Sequence, residues 1–219
     1  MRPTMAARGL RRALPACLLV FVGALAGCVQ GQGPMTSETR EVGSFSRIEA
    51  TAGIRVEVRM GPAQAVKVTA QETLLPVIST EVRGETLSVQ ASEDFTTLEP
   101  VTVTVVVPAL TGITLSGGSR ATLDLDAERI EIRIRGGAHV TAAGSVHSLA
   151  LDADGGATAS LEDLSVRSAT VSMEGGATAT LMASDDVTGT ASGGSRLTVI
   201  GDADVSVEDS GGSVVGRGG

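Results

Sequence analysis

Ile113-Thr114-Leu115-Ser116-Gly117-Gly118-Ser119-Arg120-Ala121-Thr122-Leu123 returns as Ile132-Arg133-Ile134-Arg135-Gly136-Gly137-Ala138-His139-Val140-Thr141-Ala142. It returns again as Leu151-Asp152-Ala153-Asp154-Gly155-Gly156-Ala157-Thr158-Ala159-Ser160-Leu161. Further glycine pairs stand at Gly175-Gly176, Gly193-Gly194 and Gly211-Gly212, and the steps between first glycines are 19, 19, 20, 18 and 18. A fixed period of this size is the mark of a repeat architecture. Apolar residues occupy every second position on both sides of each pair, which is the period of a strand. Each repeat therefore reads as strand, corner, strand and return. Glycine suits the corner because it accepts positive φ and carries no Cβ. The next residue is always small: Ser119, Ala138, Ala157, Ala177, Ser195 and Ser213.

Such a unit cannot bury its inner face alone. Copies stacked about 4.8 Å apart bury a continuous core. The expected fold is all-β: a single-domain parallel β-helix, or β-solenoid, with coils of about 19 residues and Gly-Gly corners. Residues 42–108 alternate less regularly, through Ile48, Ile54, Val56, Val58, Val66 and Val68 to Val101, Val103, Val105 and Val107. They are expected to supply the first coils and a cap.

Phe45-Ser46-Arg47-Ile48, Ala52-Gly53-Ile54-Arg55-Val56, Leu74-Leu75-Pro76 and Gly84-Glu85-Thr86-Leu87 come in that order, ahead of the repeated Gly-Gly-Ser/Ala. In this the chain resembles the auto-transporter adhesin head GIN domain family, a domain of unknown function in bacterial envelope proteins. The resemblance covers residues 42–216 and implies a β-helix with an adhesin-like role. Arg55 stands where the Gly-Ile-Asn signature has Asn.

The N-terminus reads as an address. Arg2, Arg8, Arg11 and Arg12 precede the apolar run Ala13–Ala24, which ends at Leu25-Ala26-Gly27-Cys28. The run is too short to span a bilayer and has the size of a signal core. The ending resembles a bacterial lipobox. It implies cleavage after residue 27, a diacylglycerol on Cys28 and a membrane partner through that anchor. Val29, not Asp, follows the cysteine, which favours the outer over the inner membrane. Removal of residues 1–27 takes four arginines and no acid, leaving 192 residues with a net charge of −12. Residues 28–41 are expected to be the acylated cysteine and a flexible tether, reaching about 20 Å.

The whole chain has 219 residues, 17 Lys and Arg against 25 Asp and Glu, and a net charge of −8. An acidic surface without Tyr or Trp argues against nucleic acid as a partner. Two histidines and no remaining thiol pair leave no expected metal site or cofactor. The glycine corners lack the second Gly and the Asp of calcium-binding nonapeptide repeats.

Two sets of residues could act. Thr122, Thr141, Ser160, Thr180 and Thr198 form one outward column of hydroxyls, a candidate face for a glycan or an envelope protein. Asp124 with Asp126, and Asp152 with Asp154, share a strand face in pairs, and paired carboxylates could serve an enzyme acting on anionic polysaccharide. Arg133 and Arg135 fall in the columns of Asp152 and Asp154 one coil earlier, so ion pairing accounts for the second set without catalysis. The first expectation is therefore a non-catalytic binding, adhesion or scaffolding protein of the envelope, and the second an enzyme. Asp209 ends a column that is apolar in earlier coils, as expected of a charge that blunts the last edge.

Overall fold

The alternating pattern on each side of a glycine pair produces two stacks of strands with a core between them. Residues 28–218 are described in a computed structural model. Residues 1–27, expected from the sequence to be a signal segment, lie outside the described residues. The N-terminal part contains β1 (Val29–Gln30), β2 (Met35–Arg40), β3 (Arg47–Ala50), β4 (Arg55–Met60), β5 (Ala65–Gln71), β6 (Ile78–Arg83), β7 (Thr86–Ala91), β8 (Phe95–Thr96) and β9 (Thr102–Val107). The repeats follow as β10 (Gly112–Leu115), β11 (Arg120–Arg135), β12 (His139–Asp154), β13 (Thr158–Met173), β14 (Thr178–Ala191), β15 (Arg196–Ile200), β16 (Asp204–Asp209) and β17 (Val214–Gly218). One 3₁₀ turn, Glu72–Leu74, interrupts the strands among the described residues.

Pairing between repeats is parallel and in register. Ile113, Ile132, Leu151 and Val171 align, as do Ala121, Val140, Ala159, Ala179 and Leu197. All of these side chains are buried in one continuous core. The expected parallel β-solenoid with coils of about 19 residues is the fold. The long strands β11 to β14 each run along the side that follows a corner, bend, and continue along the side that precedes the next corner. We call these the trailing and leading sides.

Irregular repeat lengths are absorbed at the bend. The offset between β12 and β13 changes from 19 residues at Thr141↔Ser160 to 20 at Ala143↔Asp163. Between β13 and β14 it drops from 20 at Leu161↔Leu181 to 17 at Ser165↔Met182 and recovers to 18 at Ser168↔Asp186. A one-residue slip along a side would turn every core residue to solvent, whereas the bend has no such alternation to protect.

The corners form a ladder of their own. Gly117 and Gly118 have φ of 60° and 74°, and a Cβ on a first glycine would press on the corner beneath it: at Gly193 it would lie 2.8 Å from the Gly175 nitrogen. The ladder begins at Ala52-Gly53, with φ of 63° and 71°. Ala52 can carry a Cβ there because the chain beneath runs from Ala91 on through residues 92–100 without a matching corner. The corner residues Ser119, Ala138, Ala157, Ala177, Ser195 and Ser213 are buried, which explains their size.

The N-terminal part stacks out of sequence order. The coil made by β3 and β4 lies between one made later by β7 and β9 and one made later still by β10 and β11. Antiparallel β6 and β5 then close the two sides, and β2 pairs with β5 at the outer edge. The tether expected over 28–41 is corrected here. Residues 35–40 are an edge strand, held by six residue pairs to β5, and β1 pairs with β8. Met35-Thr36-Ser37-Glu38-Thr39-Arg40 lacks an apolar period because both faces of this strand are largely exposed. Glu38 and Arg40 pair at 3.2 Å and Arg40 donates to the Leu75 carbonyl at 2.8 Å, so charge guards this edge. At the other end Asp209 aligns with buried Ala191 and is itself exposed.

Candidate functional site: the trailing side

Strand geometry sends residues i and i+2 to one face, so each trailing strand offers two neighbouring outward positions. In register they make two columns. One runs Thr39, Lys67, Thr104, Glu57, Thr122, Thr141, Ser160, Thr180, Thr198 and Gly216 over ten strands, about 43 Å at the usual strand spacing. The other runs Ser37, Thr69, Thr102, Arg55, Arg120, His139, Thr158, Thr178, Arg196 and Val214. All of the Ser and Thr in both columns are exposed or half-buried.

The five hydroxyl residues picked out by the repeat therefore do stand side by side. Thr39, Thr69, Thr102 and Thr104 extend them and were not visible in the sequence. Their register is set by pairing in the cap, where the glycine period is absent. Within the two columns the side-chain hydrogen bonds among described residues are Ser37–Thr69 at 2.8 Å and Thr141–His139 at 3.4 Å. The remaining hydroxyls are left to solvent or a partner.

The charges are divided between the sides. On the leading side Arg47 and Arg133 both meet Glu131, and Asp152 lies 3.8 Å from Arg133 and 3.5 Å from Arg135. The two trailing columns hold Lys67, Arg55, Arg120 and Arg196, with Glu57 as their one acid. None of these four cations forms an ion pair among the described residues.

The aspartate pairs are not brought together. Asp124 lies on the trailing side beside Arg59, and Asp126 lies at the bend, where Ser145 donates to it at 3.4 Å. Asp152 and Asp154 lie on the leading side. A carboxylate held by two guanidiniums is occupied structurally, so Asp152 is poorly placed to act as a base. Along the bend runs an open groove of about 770 Å³, lined by residues that include Asp126, His147, Arg167, Met182 and Asp202. It takes in one of the four aspartates singled out by spacing. Among the described residues no group of three His, Cys, Asp or Glu converges as a metal site. Among the described residues no helix is long and apolar enough to cross a membrane.

Parallel coils stacked in register over a ladder of glycine corners define a β-solenoid. The chain belongs to the family described as "Putative auto-transporter adhesin, head GIN domain", which matches residues 44–203. Solved structures share the fold. A putative adhesin from Bacteroides fragilis aligns with a TM-score of 0.71 at 16% identity, over 86% of this chain and 99% of that one. A putative adhesin from Parabacteroides distasonis aligns at 0.53 and 17% identity, over 88% and 100%. A protein described as a putative lipid binding protein, also from Parabacteroides distasonis, aligns at 0.52 and 14% identity, over 88% and 100%. No curated protein matches the chain.

Proposed function

We propose that this protein is a lipid-anchored, non-catalytic adhesion module of the bacterial envelope, which holds a glycan or an envelope protein against its trailing side. The observation that carries the reading is the pair of outward hydroxyl columns, aligned strand by strand and mostly without partners of their own. Hydroxyls in a rigid row offer donors and acceptors at a fixed spacing. Family membership and the adhesin descriptions of the solved relatives support the same role.

The anchor would be Cys28, which is exposed and adjoins β1 at the capped end of the stack. Anchoring there points the solenoid axis away from the bilayer and leaves the trailing side free along its length. The outer membrane is the favoured location, from Val29 after the cysteine. Multiple acyl chains on one residue suffice for stable attachment.

Two measurements test this. Cys28→Ala should move the protein from the membrane to the soluble fraction, and retention in the membrane would refute the anchor. The full chain in detergent, applied to an array of bacterial and host glycans, should be retained without loss of glycan. Cleavage of any glycan would overturn the non-catalytic reading, and absence of binding would remove glycans in favour of an envelope protein.

A further inference from the structure

Arg55, Arg120 and His139 occupy the same outward column on three adjacent strands, in direct register. Neighbouring strands are about 4.8 Å apart, and like charges directly opposite each other destabilise a sheet. The chain has acids to spare, 25 against 17 basic residues, and on the leading side it sets them against its arginines. Here it does not. Glu57 is two residues from Arg55 on the same face, yet it forms no ion pair with either guanidinium among the described residues. Both arginines are exposed, and neither guanidinium donates to a described group. Two guanidiniums on adjacent strands offer enough donors to hold one oxyanion between them.

We propose that Arg55 and Arg120, with His139 as a third donor, bind the carboxylate or sulfate of an acidic glycan. This rests on the trailing side being a recognition surface, and it names the ligand class. What surrounds the pair decides between anions. Thr102 and Thr104 lie on one side, Thr122 and Thr158 on the other, with Glu57 as the one acid between them in the adjacent column, so the anion sits among hydroxyls suited to a polyhydroxylated chain. A phospholipid would need apolar surface beside its headgroup, and these two columns supply none next to the arginines. The net negative charge of the protein repels polyanions in general, so attraction here must be local.

The test uses the full chain in detergent at physiological salt, with immobilised polygalacturonate, dextran sulfate and neutral dextran. Wild type is expected to bind at least one acidic polymer. Arg55→Gln with Arg120→Gln should weaken that binding by at least tenfold. Arg55→Lys with Arg120→Lys should retain part of it, and Arg129→Gln, an exposed arginine elsewhere, should retain all of it. The double Gln variant should melt no lower than wild type, because a repulsion has been removed. Acidic binding unchanged in that variant, or a clear drop in its melting temperature, would overturn the proposal. Binding to neutral glycans alone would overturn the anion site and leave the adhesion reading standing, whereas no glycan binding at all would overturn the anion site and leave adhesion with an envelope protein as its partner. Competition by phosphatidylglycerol micelles but not by free polygalacturonate would assign the pair to lipid and reject the glycan.

Discussion

The leading and trailing sides are built from the same strands, share one core and differ in what they do with charge. On the leading side Arg47, Arg133 and Arg135 each stand against a carboxylate. In the two trailing columns Arg55 and Arg120 stand against each other, and Arg196 stands against Thr178. Hydroxyls alone do not separate the two, since Thr170, Thr188, Ser172 and Thr190 lie on the leading side. What separates them is whether the arginines in register meet carboxylates within the fold. A side that satisfies itself contributes to stability, and a side left open is available to a partner.

The largest effect should come from the scaffold that both sides share. A Cβ at Gly144 would lie 2.0 Å from the Leu125 carbonyl oxygen, and one at Gly189 would lie 1.8 Å from that of Val171. Both residues have positive φ, 110° and 135°. Gly144→Ala and Gly189→Ala are each expected to cost about 4 kcal/mol or more in urea unfolding, the upper range for a single change. A loss under about 1 kcal/mol at either would mean that the coils are not stacked this closely.

Next comes the core between the sides. Ile132→Ala removes a fully buried side chain and should cost about 2–5 kcal/mol by the same measurement. A smaller exchange sharpens the corner ladder. Gly118→Ala should cost about 1–2 kcal/mol through its φ alone, since nothing lies within reach of the new Cβ. Ala52→Gly should do the reverse and raise stability by about 1 kcal/mol. If Ala52→Gly is neutral, the base of the ladder is not strained.

The smallest effects separate the sides themselves. Asp152→Asn, which breaks two half-exposed ion pairs, should lose up to about 1 kcal/mol, and the loss should shrink at high salt. Thr141→Val keeps the β-branched shape and should change stability by no more than about 0.5 kcal/mol. Equal salt-dependent losses at both sites would erase the distinction between a self-satisfied side and an open one.

The glycine period made most of this legible. Because corners stack on corners, the columns read from the repeat are the columns of the sheet, and Thr122, Thr141, Ser160, Thr180 and Thr198 fell into line. The cap was hidden for three physical reasons. Ala52 replaces a glycine at the one corner with no corner below it, so the first repeat lacks its signature. Antiparallel β5 and β6 take their register from partners rather than from a period. The strand β2 shows no alternation because neither of its faces is fully buried. The ion pairing of Asp152 could be anticipated from column positions, whereas the lack of partners for Arg55 and Arg120 needed the stacking order of β4 and β11.

That stacking order bears on how the protein is made. The coil of β3 and β4 leaves the ribosome first, but both of its neighbours are encoded downstream of it. It must wait for β10 to complete its leading side and for β11 to complete its trailing side, a delay of the kind that slows folding with non-local contacts. From β11 onward each coil needs only the one before it, and the chain can zip forward a repeat at a time. Duplication or loss of whole repeats is therefore tolerated toward the C-terminal end and resisted at the interleaved start. Each added coil would lengthen the outward columns by about 4.8 Å, so the length of that face is a quantity that repeat number alone can tune.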